Sequence, residues 1–192
     1  MKNHLRKGLE PSGFTLLTDF LNAREEERYV RYFGRLHFGE SMTRGKRLRR
    51  QILSYGAAFR PNFQSLQNAA PLTKILRELR DQALRACNRT GEFRQALLQR
   101  FPPGSSISYH RDSDVFGAPI IGISFAGQAL LRFRDSTGQR AGLAIAVPPR
   151  SLYILDGQCR ETWLHSIAPV EKLRYSVTFR TLRRAPNQQG RP

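Results

Sequence analysis

Two histidines and one aspartate carry the clearest chemistry in this chain. In Ser108-Tyr109-His110-Arg111-Asp112 an imidazole and a carboxylate stand two residues apart. On a strand, residues two apart point to the same side, so His110 and Asp112 could be adjacent ligands of one ion. Trp163-Leu164-His165 offers a third ligand from a later strand. Two histidines and one carboxylate that leave the opposite positions open form the ligand set of non-haem iron(II) oxygenases. The open positions accept a co-substrate and oxygen together. The other two histidines, His4 and His37, lie in no such context.

Nine residues beyond His165 begins the run Arg174 to Leu182. Alternation puts Arg174, Ser176, Thr178 and Arg180 on one face and Tyr175, Val177 and Phe179 on the other. Two arginines and two hydroxyls make a poor core and a good pocket wall. A dicarboxylate that chelates a metal at one end must be neutralised at the other. The planar fork of arginine does this best, with Arg174 as the natural candidate and Arg180 in reach of the chelating end.

These residues need a scaffold. From Ser105 onward, β-like runs alternate with turn residues: Ser106–Arg111, Pro119–Phe125, Ala129–Arg134, Leu143–Val147, Ser151–Leu155, Trp163–Ile167 and Arg174–Leu182. Ahead of them the periodicity predicts a short strand over Gly13–Leu17 and a helix over Ala23–Leu36, capped by Asp19 or Asn22. A second helix is predicted over Leu72–Asn88, with Leu72, Ile75, Leu76, Leu79, Ala83 and Leu84 on its apolar face. The expected class is α+β, mainly β: a double-stranded β-helix (a jelly-roll, cupin-like barrel) with N-terminal buttressing helices. We expect a single domain over 1–192. Its outer part is about 13–98, its barrel core about 99–184, and 185–192 form a flexible tail.

The charge bears on partners. Thirty-two basic residues against fifteen acidic give +17, which favours contact with phosphate backbones. Arg44, Lys46, Arg47, Arg49 and Arg50 crowd one segment, and Arg180, Arg183 and Arg184 another. Tyr55 or Phe59 could stack on a base or simply pack. No apolar run approaches the ~20 residues of a membrane span, and two cysteines are too few for a disulfide framework. The expectation is a cytoplasmic monomer, nucleoid-associated if its target is DNA.

Several motifs resemble the AlkB-like family of 2-oxoglutarate-dependent dioxygenases, most closely over Gln99–Arg184. That family carries Asn-x-Tyr-x-x-Gly-x-x-Ile-x-x-His-x-Asp; here Gly104, Ile107, His110 and Asp112 hold their places, with Gln99 and Phe101 for the Asn and Tyr. Trp163-x-His165 and Arg174-Tyr175-Ser176-Val177-Thr178-Phe179-Arg180 match its later signatures.

The resemblance implies iron(II) on His110, Asp112 and His165, with O2 as oxidant. It implies 2-oxoglutarate on Arg174, beside Ser176 and Arg180. Gln99 and Phe101 stand where the family's Asn and Tyr touch the co-substrate, and the missing hydroxyl costs on the order of 1 kcal/mol. Asp114 occupies the place of an acid that can meet a flipped base, or is a solvated loop acid, while Val115 to Pro119 is more similar to branches acting on transfer RNA or other targets. The implied activity is oxidative demethylation of alkylated bases in DNA or RNA, with Arg47, Arg49 and Tyr55 at the nucleic acid. Two alternatives stay open: a hydroxylase of a protein or small molecule, and a non-catalytic nucleic-acid-binding jelly roll.

Overall fold

The structure is a computed structural model that describes residues 11–43, 46–59, 66–137 and 142–183. The expectations for His4, Arg44, Arg184 and the tail 185–192 lie outside the described residues.

Seven strands form the larger sheet. In spatial order they are β1 (Phe14–Leu17), β11 (Leu152–Leu155), β8 (Ile120–Phe125), β13 (Arg174–Arg180), β6 (Gln95–Phe101), β3 (Lys46–Tyr55) and β2 (Gly39–Thr43). A four-stranded sheet runs β10 (Leu143–Val147), β9 (Ala129–Asp135), β12 (Trp163–Ile167) and β7 (Ile107–His110). β4 (Ala57–Phe59) and β5 (Leu66–Asn68) make a small hairpin. The architecture is a jelly-roll-type β-sandwich.

Two apolar clusters follow from the alternation of the strands. Between the sheets lie Phe14, Phe101, Ile120, Leu131, Phe133 and Trp163. On the outer face of the larger sheet, Phe125, Tyr175, Val177 and Phe179 meet the helices α1 (Ala23–Phe33) and α2 (Lys74–Ala86). The non-pocket side of Arg174–Arg180 thus packs on the helices, as its pattern requires. Asn22 caps α1 through a reciprocal box with Glu25, a device that contributes about 1 kcal/mol. Asp19 instead has φ 54 and pairs with Arg150.

The ends of the expected elements shift. α1 stops at Phe33 and α2 spans Lys74–Ala86, each shorter than the range expected for it. β7 ends at His110, so Asp112 lies just past the strand. β13 ends at Arg180, with Leu182 in an isolated bridge to Phe116.

The largest correction is in the outer part, which contributes β2 to β5. β3 is bulged where it meets β2, with Glu40 opposite Gln51 and Ser41 opposite Leu48, so Arg49 and Arg50 are the extra residues. Tyr55 is a second correction. Alternation turns it to the helix side of β3, where it is buried in the core with Leu72 and Leu76. It packs, the second of the two roles its context left open.

Candidate metal centre and co-substrate cavity

β7 and β12 pair antiparallel with His110 directly opposite His165. The register alone brings the two imidazoles together, with ring centroids 4.3 Å apart. Asp112 lies in the turn after β7 and puts Oδ2 3.6 Å from His165 Nε2. One ligand atom from each of His110, Asp112 and His165 lies within 4.8 Å of the others, which is room for one ion. His110 Nδ1 lies 2.9 Å from the Ser108 carbonyl. Donation there fixes the tautomer and leaves Nε2 for a metal.

Two buried arginines hold the aspartate. Arg180 Nη2 donates to Asp112 Oδ1 at 2.5 Å and Arg180 Nη1 to Gln95 Oε1 at 3.2 Å. Arg160, on the short helix α3 (Gly157–Glu161), donates to the carbonyls of Ser113 and Phe116 at 3.0 and 3.2 Å, pinning the loop that follows Asp112. Burial pushes the Asp112 carboxyl up, but Arg180, His165, His110 and Arg160 together outweigh it and hold the group below the usual carboxylate range. Burial, reinforced by His110, lowers His165 to about 4. A neutral imidazole and an ionised carboxylate are the protonation states a metal needs.

Behind the triad a small cavity is lined by Gln99, Leu131, Tyr153, Thr178 and Arg180 among others. Arg174 is 1% exposed and donates from Nε to Ser124 Oγ at 3.0 Å. Its guanidinium carbon sits 4.9 Å from the centre of the Phe101 ring. Nη2 has no hydrogen-bond partner among the described residues. A buried guanidinium with an orphaned N–H is costly unless an anion arrives. The site therefore fits a carboxylate at this end and a metal at the other. The register Arg174↔Phe101, Ser176↔Gln99 and Arg180↔Gln95 puts β13 and β6 side by side along this wall.

The remaining expected residues divide. Gln99 is buried and accepts from Arg50 Nη1 at 2.8 Å, so its amide serves an arginine of β3. Phe101 lies under Arg174, and Ser176 is buried beside it on the strand. Arg47 and Arg49 stand in solvent, Arg47 paired with Glu40 and Arg49 reaching the Pro103 carbonyl, with neither lining the cleft beside the triad. Asp114 is exposed in a turn and likewise does not line that cleft.

Arg50, Arg160 and Tyr153 were not anticipated. Arg50 was one cation in a crowd until the bulge aimed it inward. Arg160 follows Cys159, whose buried thiol is pushed up to about 12 and packs between the sheets. Only Tyr153 left a trace, as the sole ring in the run Ser151–Leu155.

Comparison with known proteins agrees with this geometry. The chain is 26% identical over 165 residues to the tRNA (carboxymethyluridine(34)-5-O)-methyltransferase alkbh8 of Xenopus tropicalis, covering 83% of this chain and 26% of that protein. It is 22% identical over 193 residues to the uncharacterized protein L905 of Acanthamoeba polyphaga mimivirus, covering 94% of this chain and 90% of that one. The chain thus spans about a quarter of the length of the methyltransferase relative and most of the viral one. The structure of OsALKBH1 superposes with a TM-score of 0.69 at 17% identity, over 91% of this chain and 100% of that one. A model of the 2OG-Fe(II) oxygenase superfamily matches residues 13–183. The chain belongs to the 2OG-Fe(II) oxygenase superfamily, whose members use iron(II), 2-oxoglutarate and O2, and it is similar to AlkB homologues.

Proposed function

We infer that His110, Asp112 and His165 hold the iron, that Arg174 pairs with the far carboxylate of 2-oxoglutarate, and that the enzyme oxidises a modified base in a nucleic acid. With 2-oxoglutarate and O2, the iron supplies the oxidising power to hydroxylate a C–H bond. On a base-nitrogen methyl the product releases formaldehyde and restores the base. This chain's own contribution is binding, orientation and exclusion of water. Arg180 and Arg160 keep Asp112 aimed, and the His110 ring is held by the Ser108 carbonyl.

The observation that carries the substrate reading is a cleft of about 540 Å³ that opens on His110 and Asp112. Its walls are apolar and partly aromatic, with Ile52, Ala58, Leu66, Phe59 and Phe116; the last two rings meet edge to face at 5.7 Å. That suits a flat base extruded from its stack. Arg50, Arg111 and Arg180 also line it, while Asp112 is its one carboxylate among the described residues. The sequence between Glu40 and Glu78 contains no acid. A neutral modified base therefore suits the cleft better than one with a positive charge. The names of the methyltransferase relatives make transfer RNA the first nucleic acid to try.

The test is succinate formation with iron(II), 2-oxoglutarate and O2, comparing N6-methyladenine with N1-methyladenine in otherwise identical single strands of RNA and DNA. Turnover stimulated by a modified strand supports the reading, most strongly with the neutral base. His165-dependent turnover indifferent to every strand would redirect the search to protein or small-molecule targets.

A further inference from the structure

Tyr153 sits where the co-substrate reading leaves a gap. The ring under Arg174 is Phe101, which stacks on the guanidinium and offers no hydrogen bond. In register β11 places Tyr153 opposite Gly122 of β8. Gly122 has no side chain, and a Cβ built there would lie 2.1 Å from Tyr153 Cζ and 2.4 Å from its hydroxyl oxygen. The tyrosine ring thus lies down across Gly122, which carries its hydroxyl over β8 towards β13. There the hydroxyl lies near enough to the Arg174 guanidinium to favour its charge electrostatically. Tyr153 also lines the cavity behind the triad, with Gln99, Thr178 and His165.

A phenol can accept from a guanidinium and donate to an anion at the same time. Arginine can take two lone-pair sites of a carboxylate in a bidentate pair, and further sites remain for another donor. We propose that Tyr153 is a positioning residue for the co-substrate: its hydroxyl donates to the same carboxylate that Arg174 pairs with, and Gly122 is the space that lets it reach. The proposal rests on the assignment of Arg174 made above. It makes Tyr153 the hydroxyl that position 101 lacks, delivered from a strand on the far side of β8.

The experiment is calorimetric titration of the manganese(II)-loaded protein, which binds without turning over. The ligands are 2-oxoglutarate and 2-oxobutyrate, and the latter has no second carboxylate. Tyr153→Phe is expected to weaken 2-oxoglutarate about tenfold or more, as for a lost hydrogen bond to a charged group. Binding of 2-oxobutyrate and of manganese should stay unchanged. Adding Phe101→Tyr to Tyr153→Phe should restore part of the loss by returning a hydroxyl from the other side. Unchanged 2-oxoglutarate affinity in Tyr153→Phe, or an equal loss for both ligands, would overturn the proposal. Arg174→Met separates the two claims. If it abolishes the preference for 2-oxoglutarate while Tyr153→Phe does not move it, Arg174 keeps its role and Tyr153 loses its own. If the unmodified protein shows no preference, both fall.

Discussion

At the inner end of the site Arg174, Arg160 and Arg180 are 1%, 2% and 7% exposed, whereas at the outer end Arg47, Arg49 and Arg111 stand in solvent. The inner three are locked by named acceptors: Ser124, the Ser113 and Phe116 carbonyls, Gln95 and Asp112. The outer three reach a salt bridge or a backbone carbonyl on the surface. A buried cation must have fixed acceptors, so each inner arginine acts at a fixed point. An exposed one is screened by salt and contributes to a field. On the proposed reading, the same residue type therefore serves binding chemistry at one end and long-range attraction at the other.

That contrast can be broken most violently at the metal. His165→Ala removes one of the three proposed ligands, and no other His, Cys, Asp or Glu joins their cluster among the described residues. Iron content after anaerobic reconstitution and succinate formation should both fall to background, and retained iron would dissolve the assigned triad. Next in size is Arg174→Met. Co-substrate affinity should fall on the order of a hundredfold, as when one partner of a buried charge pair is truncated. Thermal melting of the ligand-free protein should hold or rise, because a buried charge with an orphaned N–H is gone. A fall in melting temperature equal to the binding loss would make Arg174 merely structural.

Acid gives a third probe. The folded value of His165 lies below its ordinary 6.5, at about 4. Between those values the unfolded chain binds the extra proton, so the metal-free protein is stable above pH 6.5 and loses stability as pH falls towards 4. The loss amounts to about 3 kcal/mol. Asp112, held low in the fold, adds a loss of the same sign at still lower pH. Denaturant midpoints across this range check the slope, and a flat profile would mean that His165 is not buried as described.

The smallest effect belongs to the outer end. Arg47→Ala and Arg49→Ala should each reduce the salt slope of RNA binding by about one if they touch phosphates, leaving 2-oxoglutarate affinity untouched. An effect on the co-substrate instead would erase the distinction between the two ends.

The inner end could be read from the chain and the outer end could not, for a physical reason. Arg174, Ser176, Thr178 and Arg180 obey a period of two over a long strand, and His-x-Asp is a local spacing. Both survive without knowledge of tertiary structure. Lys46–Tyr55 carries four basic residues, with Arg49 and Arg50 in a bulge, and the pairing with β6 that makes it a strand is non-local. The same bulge sends Arg49 to solvent and Arg50 inward, a choice no spacing rule contains. Tyr55 shows the converse error. An aromatic next to a basic run looks like a stacking platform, yet one step of alternation turned it into the core.

One feature of the strand order bears on how the protein ages. β7 is the outermost strand of its sheet, joined only to β12, and it carries His110 while β12 carries His165. An ion held by both would be a rivet through a seam. In the loaded protein the seam is closed by bonds stronger than a short ladder of amides. When iron leaves, the segment from Ile107 to Arg111 keeps only that ladder and side-chain ties such as Arg111 to the Glu161 carbonyl. Iron status should then be legible as wear: amide exchange in β7 slows first when metal is added, and trypsin cuts after Arg111 faster when it is withdrawn.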